Sequence, residues 1–569
     1  MSEQKPIGVG IEQYKRMIDK SYYYIDKTYF IKDLLDKGGA VNLFTRPRRF
    51  GKTLVLSMLK TYFECETDIY GTVKDNRHYF DGMKISELGQ QYTDVMGKYP
   101  VISLSLKSAK QPDYDMAYKS ILYEVAKEYE RHRYVLLGNA LSQSARERYV
   151  RIMNQAAEPV EYARGLAFLS ECLTAYHGKN TIILLDEYDV PLENAHFEGF
   201  YEQMVKFIRS LLESALKTNE CLEFAVITGC LRISRESIFT GLNNLEINSV
   251  LTADYAEHFG FTIPEVEQML HDYGLEEKKE EVRNWYDGYL FGNTEVCNPW
   301  SVMNYVKRAV SDRQAFPRPY WSNTSSNSII RELVERADTS ARKMIEELIA
   351  DGTVEVEVHE DITYEDVYRT QENLWNFLFF TGYLKKISER FEQGNIYITM
   401  TIPNWEVRMI YRKTILEWFE QKLKVTDFTG FYEAILDGNT EIMENVIKRQ
   451  LQRSISYHDN AELFYHGFML GILGALQDYE IQSNQERGNG RPDIQLIPLD
   501  EKKPAIIMEL KRVQKFTQME AGCEEALAQT ERQSYHTGLL EEGYLNIRDY
   551  GICFCKKSCM VQTKCYTQK

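Results

Sequence analysis

An α/β fold is predicted, with an N-terminal parallel sheet, a mostly helical middle region and a smaller C-terminal α/β unit. Three observations predict it. Four apolar, strand-like runs, VNLFT (41–45), VISLSL (101–106), TIILLD (181–186) and FAVITG (224–229), are separated by long helical patterns. A parallel sheet requires that rhythm, because each crossover needs a helix and the helices cover both faces of the strands. From about 255 to 420 the pattern turns helical. Beyond 421 a helical stretch leads to DIQLI and AIIMELK, two apolar runs joined by a Pro498-to-Pro504 turn, which read as paired strands.

In chain order, residues 11–38 read as helical pieces around YYYIDKT, stopped by Gly38-Gly39. The four strand runs follow, and a fifth, NSVLT (248–252), is expected to join the sheet before the chain leaves it. WYDGYLFG (285–292) and NPWS (298–301) punctuate the middle region. There, LWNFLFFTGYLK and then NIYITMTIPN predict a buried helix, a short hairpin and a helix from Trp405, an order compatible with a winged-helix-like unit. The expected domains are 1–254, 255–420 and 421–569. No internal repeat or long flexible linker separates them.

Composition narrows the classes. The 569 residues are 44% hydrophobic and 27% charged, ordinary for globular protein. The first residues, MSEQKPIGVG, are polar and small, and the longest apolar stretches, such as FMLGILGAL, are too short to cross a bilayer. Ten scattered cysteines form no secreted framework, so a cytoplasmic location is expected and no membrane partner. Cys553, Cys555, Cys559 and Cys565 lack paired C-x-x-C knuckles and read as buried or incidental thiols. The net charge of −16 argues against a general nucleic-acid coat, so any nucleic-acid contact must be local. Residues 1–60 are the exception, with 12 Lys/Arg against 6 Asp/Glu.

Much of that basic excess surrounds TRPRRFGKT (45–53). A phosphate loop needs backbone N–H groups at a helix N-terminus, a lysine for phosphate charge and a hydroxyl for Mg²⁺. Gly51, Lys52 and Thr53 supply these after an apolar strand, although the usual first glycine is Arg46. Arg48 and Arg49 add cationic candidates for a nucleotide. TIILLDEYD supplies the partner strand: Asp186 for the Mg²⁺ shell and Glu187 to orient or deprotonate water. The cofactors expected are therefore ATP and Mg²⁺.

TRPRRFGKT, LLDEYD and FAVITGCLRISRESIFTGLNN resemble the bacterial AAA-ATPase-like proteins, a branch of the P-loop ATPases; the similarity covers about residues 5–300. The resemblance implies a sheet in which the Thr228-Gly229 strand lies between the phosphate-loop strand and the Asp186 strand. It implies Thr228 as a γ-phosphate sensor and Arg232 or Arg235 as charge stabilisers. That family shares the Arg-Pro-rich loop. Inside an ATPase, a winged-helix-like unit is more often a rigid lever than a DNA reader. A homo-oligomer is admitted by the resemblance, but no trans-acting arginine is identifiable, so a ring would be analogy alone.

The second signature lies near the C-terminus. RPD places Asp493 at the start of one strand, and ELK places Glu509 and Lys511 on one face of the next, with Leu510 on the other. Two carboxylates and an ammonium suit a hard divalent ion and an attacking water. Inward charges on a strand as apolar as AIIMELK also need a reason to be there. RPD with ELK at this spacing resembles the PD-(D/E)xK nuclease superfamily over about 455–565, which implies a restriction-endonuclease-like α/β domain. By that resemblance Glu462 joins the metal site, while Gln529 and Tyr535 brace it or touch DNA. The function expected is ATP-binding, ATP-hydrolysing control of a Mg-dependent nuclease acting on DNA. The alternative is a nucleotide-dependent sensor or scaffold whose nuclease-like domain binds nucleic acid or protein without cutting.

Overall fold

The computed structural model describes residues 4–217, 219–231, 238–239, 242–321, 344–345, 347–348, 352–358, 367, 370–411, 413–414, 428–453, 462–473, 476, 478–483, 492–500 and 502–567. The chain divides into two compact units, Met1–Ser326 with Glu355–Arg408, and Asn327–Val354 with Met409–Lys569.

In the first unit, β1 (Val41–Thr45), β2 (Val101–Ser105), β3 (Thr181–Asp186), β4 (Leu222–Gly229) and β5 (Leu245–Asn248) form one sheet in the order β2-β3-β4-β1-β5. Every neighbouring pair is parallel. β1 and β3 are buried at every position, as expected of strands covered on both faces. Each fully buried Leu or Ile there contributes about 1.5–3 kcal/mol. The order confirms that β4 lies between the phosphate-loop strand and the Asp186 strand. It brings the C-terminal ends of β1, β3 and β4 together, where open α/β sheets bind ligands. The fifth strand sits earlier than NSVLT implied. Leu245–Asn248 carry the ladder, and Ser249–Thr252 instead closes a turn through Thr252 N–H to the Ser249 carbonyl, 3.1 Å.

The motifs of the middle region pack as one body within this unit. β6 (Phe261–Thr262), β7 (Tyr289–Phe291) and β8 (Thr294–Cys297) form a small antiparallel sheet. Asn298 caps the helix Pro299–Ser311 by accepting Ser301 N–H at 3.2 Å, and Pro299 occupies its first turn. A buried cluster including Ile7, Met269, Tyr286 and Tyr305 closes around it. Next come β9 (Val354–Glu357), the helix Gln371–Phe380, β10 (Lys385–Glu392) and β11 (Asn395–Thr401), then helical residues from 405. Asn404 ties this last helix to WYDGY, donating to the Asp287 carbonyl at 2.8 Å. The hairpin and helix expected of the winged-helix-like pattern are present, although the hairpin is long, with nine exposed or half-buried positions from Ile387 to Tyr397 apart from its turn.

In the second unit, β12 (Tyr479–Ser483), β13 (Ile494–Pro498), β14 (Ala505–Arg512), β15 (Asn546–Cys555) and β16 (Ser558–Thr567) lie in sequential order. All pairs are antiparallel except β14 with β15. That parallel crossover runs through the helices Met519–Arg532 and Tyr535–Glu541. Cys553, Cys555 and Cys559 are buried free thiols and Cys565 is exposed.

Candidate nucleotide and metal sites

The nucleotide candidate forms where β1 feeds the helix Lys52–Phe63. Gly51 has φ +85°, in the left-handed region that favours glycine, and turns the chain into the helix. Lys52 is buried, and its Nζ donates to the carbonyls of Arg46 (2.8 Å) and Pro47 (2.9 Å). Cys230 Sγ lies 3.6 Å from the same nitrogen. Asp186 is the junction of three elements: Thr53 Oγ1 donates to its Oδ2 at 2.7 Å, and Thr228 Oγ1 to its Oδ1 at 2.6 Å. Charge-assisted bonds of this kind are about twice as strong as neutral ones. Glu187 follows with φ +53°, and burial, then the Asp186 charge, raise its carboxyl above the ordinary range.

The side chains preceding Gly51 are engaged by protein. Arg46, at the position of the usual glycine, is fully buried; its Nη1 donates to Thr45 O (2.9 Å) and Asn248 O (2.7 Å). Its guanidinium lies 5.2 and 5.1 Å from the ring centres of Phe259 and Phe291. Burial lowers its pKa to about 9, and the aromatic faces offset part of that desolvation. A Cβ on Gly382 would meet Pro47 Cβ at 2.9 Å. Phe50 packs against Tyr289 and Phe291 with ring centres 4.9 and 5.2 Å away. Arg48 pairs with the Glu193 carboxylate, and exposed Arg49 stacks over Trp300 at 4.4 Å. Arg48 and Arg49, both expected at the nucleotide, meet protein side chains here: Glu193 of the helix Val190–Glu198 and Trp300 of NPWS. Nothing in the linear pattern marked Glu193 or Trp300 as their partners. Arg232 and Arg235 lie outside the described residues.

The metal candidate forms on one face of the C-terminal sheet. Asp493 directly precedes β13, and its Oδ2 accepts Leu510 N–H at 2.8 Å, which fixes it beside β14. Glu509 is 2% exposed, and its Oε2 has no hydrogen-bond partner among the described residues. Its Oε1 accepts from Gln529 Nε2 and lies 3.6 Å from Lys511 Nζ. Lys511 Nζ in turn donates to Gln529 Oε1 at 2.6 Å. Gln529 therefore bridges both charged groups from the covering helix. Burial first, then the Asp493 charge, lift the Glu509 carboxyl to about 7.

A buried carboxylate oxygen left unpaired beside a second carboxylate fits a hard divalent ion, which would lower the cost of ionising both. Among the described residues no group of three or more His, Cys, Asp and Glu side chains forms a metal cage. Glu462 opens the helix Glu462–Leu473, but its side chain lies outside the described residues. His466, one turn on, was not singled out from the sequence; its Nε2 lies 2.9 Å from the Asp493 carbonyl. An i, i+4 step from Glu462 was the only signal that could have found it. Tyr535 is buried in the apolar cluster of Ile497, Ile507, Leu539 and Ile547.

The fold defines a class: a unit of P-loop ATPase type and a unit of nuclease type on one chain. Residues 8–239 match the family model described as a predicted AAA-ATPase, and residues 460–564 match that of the PD-(D/E)XK nuclease superfamily. The chain thus carries a domain of each kind. A protein of Azotobacter chroococcum mcd 1, designated "Uncharacterized protein in vnfD 5'region", is 27% identical over 354 residues. That alignment covers 60% of this chain and 59% of the relative. Among the described residues no helix is long and apolar enough to cross a membrane.

Proposed function

We propose that the protein is a nuclease acting on DNA whose cutting is controlled by ATP binding and hydrolysis. The observation that carries this reading is the intact Asp493–Glu509–Lys511 set, with one buried Glu509 oxygen left unpaired. A non-cutting descendant has no chemical need for all three groups.

On this reading Lys52 would exchange the carbonyls of Arg46 and Pro47 for the nucleotide phosphates, and Thr53 with Asp186 would hold the accompanying ion. Glu187, its proton affinity raised by burial, takes a proton from the attacking water. In the second site Asp493 and Glu509 would hold the ion, with Glu462 as a third candidate. Lys511, oriented by Gln529, holds a proton near the scissile phosphate and balances the charge that develops there. A divalent ion such as Mg²⁺, when bound, supplies Lewis acidity to phosphate oxygens. Thr228 and Arg232 remain candidates for sensing the γ-phosphate.

The test is cleavage of duplex and single-stranded DNA with Mg²⁺ and ATP. Lys52→Ala should remove the nucleotide dependence, and Glu509→Ala should abolish cutting while sparing ATP binding. If the wild type and Glu509→Ala are equally inactive on duplex DNA, single-stranded DNA and RNA, the reading fails. The second reading, a sensor that binds without cutting, is favoured by the net charge of −16. It would then gain.

A further inference from the structure

The turn after Asp186 holds a carboxylate that the scheme above does not use. Asp189 is 2% exposed and is the N-cap residue of the helix Val190–Glu198. An aspartate at an N-cap ordinarily accepts an N–H from its own helix. Asp189 makes no such bond. Its Oδ2 instead accepts the N–H groups of Cys230 (2.7 Å) and Leu231 (3.1 Å), the first residues beyond β4. The cap is given up for a contact 41 and 42 residues away in sequence.

Tyr188 makes the same connection twice. Its hydroxyl donates to the Leu231 carbonyl at 2.6 Å, and its backbone N–H donates to the Thr228 carbonyl at 3.1 Å. The approach is close enough to require glycine at 229: a Cβ there would lie 2.5 Å from Tyr188 Cε1 and 2.9 Å from Asp189 Oδ1. The residue just before this clamp is Glu187, held at φ +53°. A left-handed backbone at a non-glycine residue is strained and persists only where its surroundings enforce it. Four hydrogen bonds between residues 188–189 and residues 228–231 are the enforcement visible here.

We propose that Asp189 is a positioning residue for nucleotide hydrolysis: by accepting Cys230 and Leu231 N–H it locks the Asp186–Asp189 turn to the exit of β4. The lock holds Glu187 and Thr228 in fixed register around the γ-phosphate position. Asp189 does not touch the nucleotide. Hydrolysis therefore depends on it far more than binding does. The inference rests on the ATPase reading above.

The experiment measures ATP hydrolysis and nucleotide binding of the full chain, with thermal unfolding in parallel. Asp189→Ala should lower kcat by about 10²-fold, the size of effect an ångström-scale misplacement produces, while KM and nucleotide Kd stay within about threefold. Asp189→Asn keeps a carbonyl oxygen to accept both N–H groups and should restore most of kcat. Tyr188→Phe removes the bond to Leu231 and should lower kcat by about tenfold, the scale of one hydrogen bond; it decides the matter if Asp189→Ala does not fold. An unchanged kcat in a folded Asp189→Ala, or in Tyr188→Phe if the former does not fold, overturns the proposal. Equal losses of kcat, binding and thermal stability in Asp189→Ala and Asp189→Asn overturn it too, because that is a structural role alone. A wild type that hydrolyses no more ATP than Glu187→Gln sinks the ATPase reading itself, a result distinct from an active wild type indifferent to Asp189.

Discussion

Asp549 offers a test of the C-terminal unit that is independent of any activity. It lies fully buried in β15, and burial lifts its carboxyl from the ordinary 3.8 to about 7, with Thr530 and Lys564 offsetting only part of the rise. At about 1.4 kcal/mol per pH unit, ionising it in the folded protein costs up to about 4 kcal/mol more than in the unfolded chain. The sign follows from which state holds the proton. Below pH 3.8 both states are protonated and the effect is absent. Between 3.8 and about 7 the unfolded chain releases its proton while the folded one keeps it, so stability falls as pH rises, and the full penalty stands above 7. Asp549→Asn removes the titration. The amide's own burial cost does not depend on pH and cancels in the comparison. The variant should therefore gain on the wild type by up to about 4 kcal/mol between pH 4 and pH 8, about 10 °C in the unfolding of a unit this size. Calorimetric scans of both proteins across that range measure it, following the transition in which β15 amides lose hydrogen-exchange protection. A stability difference that stays flat with pH, or that turns against the variant as pH rises, would refute the reasoning.

Two further outcomes follow from other buried contacts. Gln529→Ala removes the bridge between Glu509 and Lys511. DNA cleavage should fall by about 10–100-fold, as for the loss of other groups that orient metal-site residues, with thermal unfolding little changed; wild-type cleavage rates would dismiss the bridge as incidental. Arg131 is held by Glu64 and Glu128, both nearly fully buried, and donates to the Val101 carbonyl at 2.6 Å. Burial alone would push the Glu128 carboxyl up, but Arg131 outweighs it and holds that group well below the carboxylate range. Arg131→Met strands both charges and should cost about 3–5 kcal/mol, read by urea unfolding at neutral pH.

Both chemical signatures were legible in the linear sequence because each is local. A strand, a glycine turn and a helix start place Lys52 and Thr53 together, and strand alternation alone puts Glu509 and Lys511 on one face. The four sheet strands were legible for the same kind of reason, since strands buried on both faces are written as continuous apolar runs. β5 was displaced by three residues because NSVLT and LEIN are about equally apolar, and only pairing with β1 chooses between them. Arg46 read as a departure from the general phosphate-loop motif that the resembled family shares. The fold makes it a buried post, because Phe259 and Phe291 arrive from more than 200 residues away to cover it.

What tertiary structure decided is the partner of each polar side chain. Propensity alone gives Asp189 to its own helix as a cap, yet the end of β4 offers two N–H groups and takes it. Gln529 was marked only by the resemblance, as a brace or a DNA contact, and its partners Glu509 and Lys511 are set by the helix that crosses the sheet beside them. Sequence specifies which groups are available within a few residues of one another. Hydrogen bonds and charges are settled by whichever partner the packed core brings to about 3 Å, and that choice is made at the scale of the whole fold.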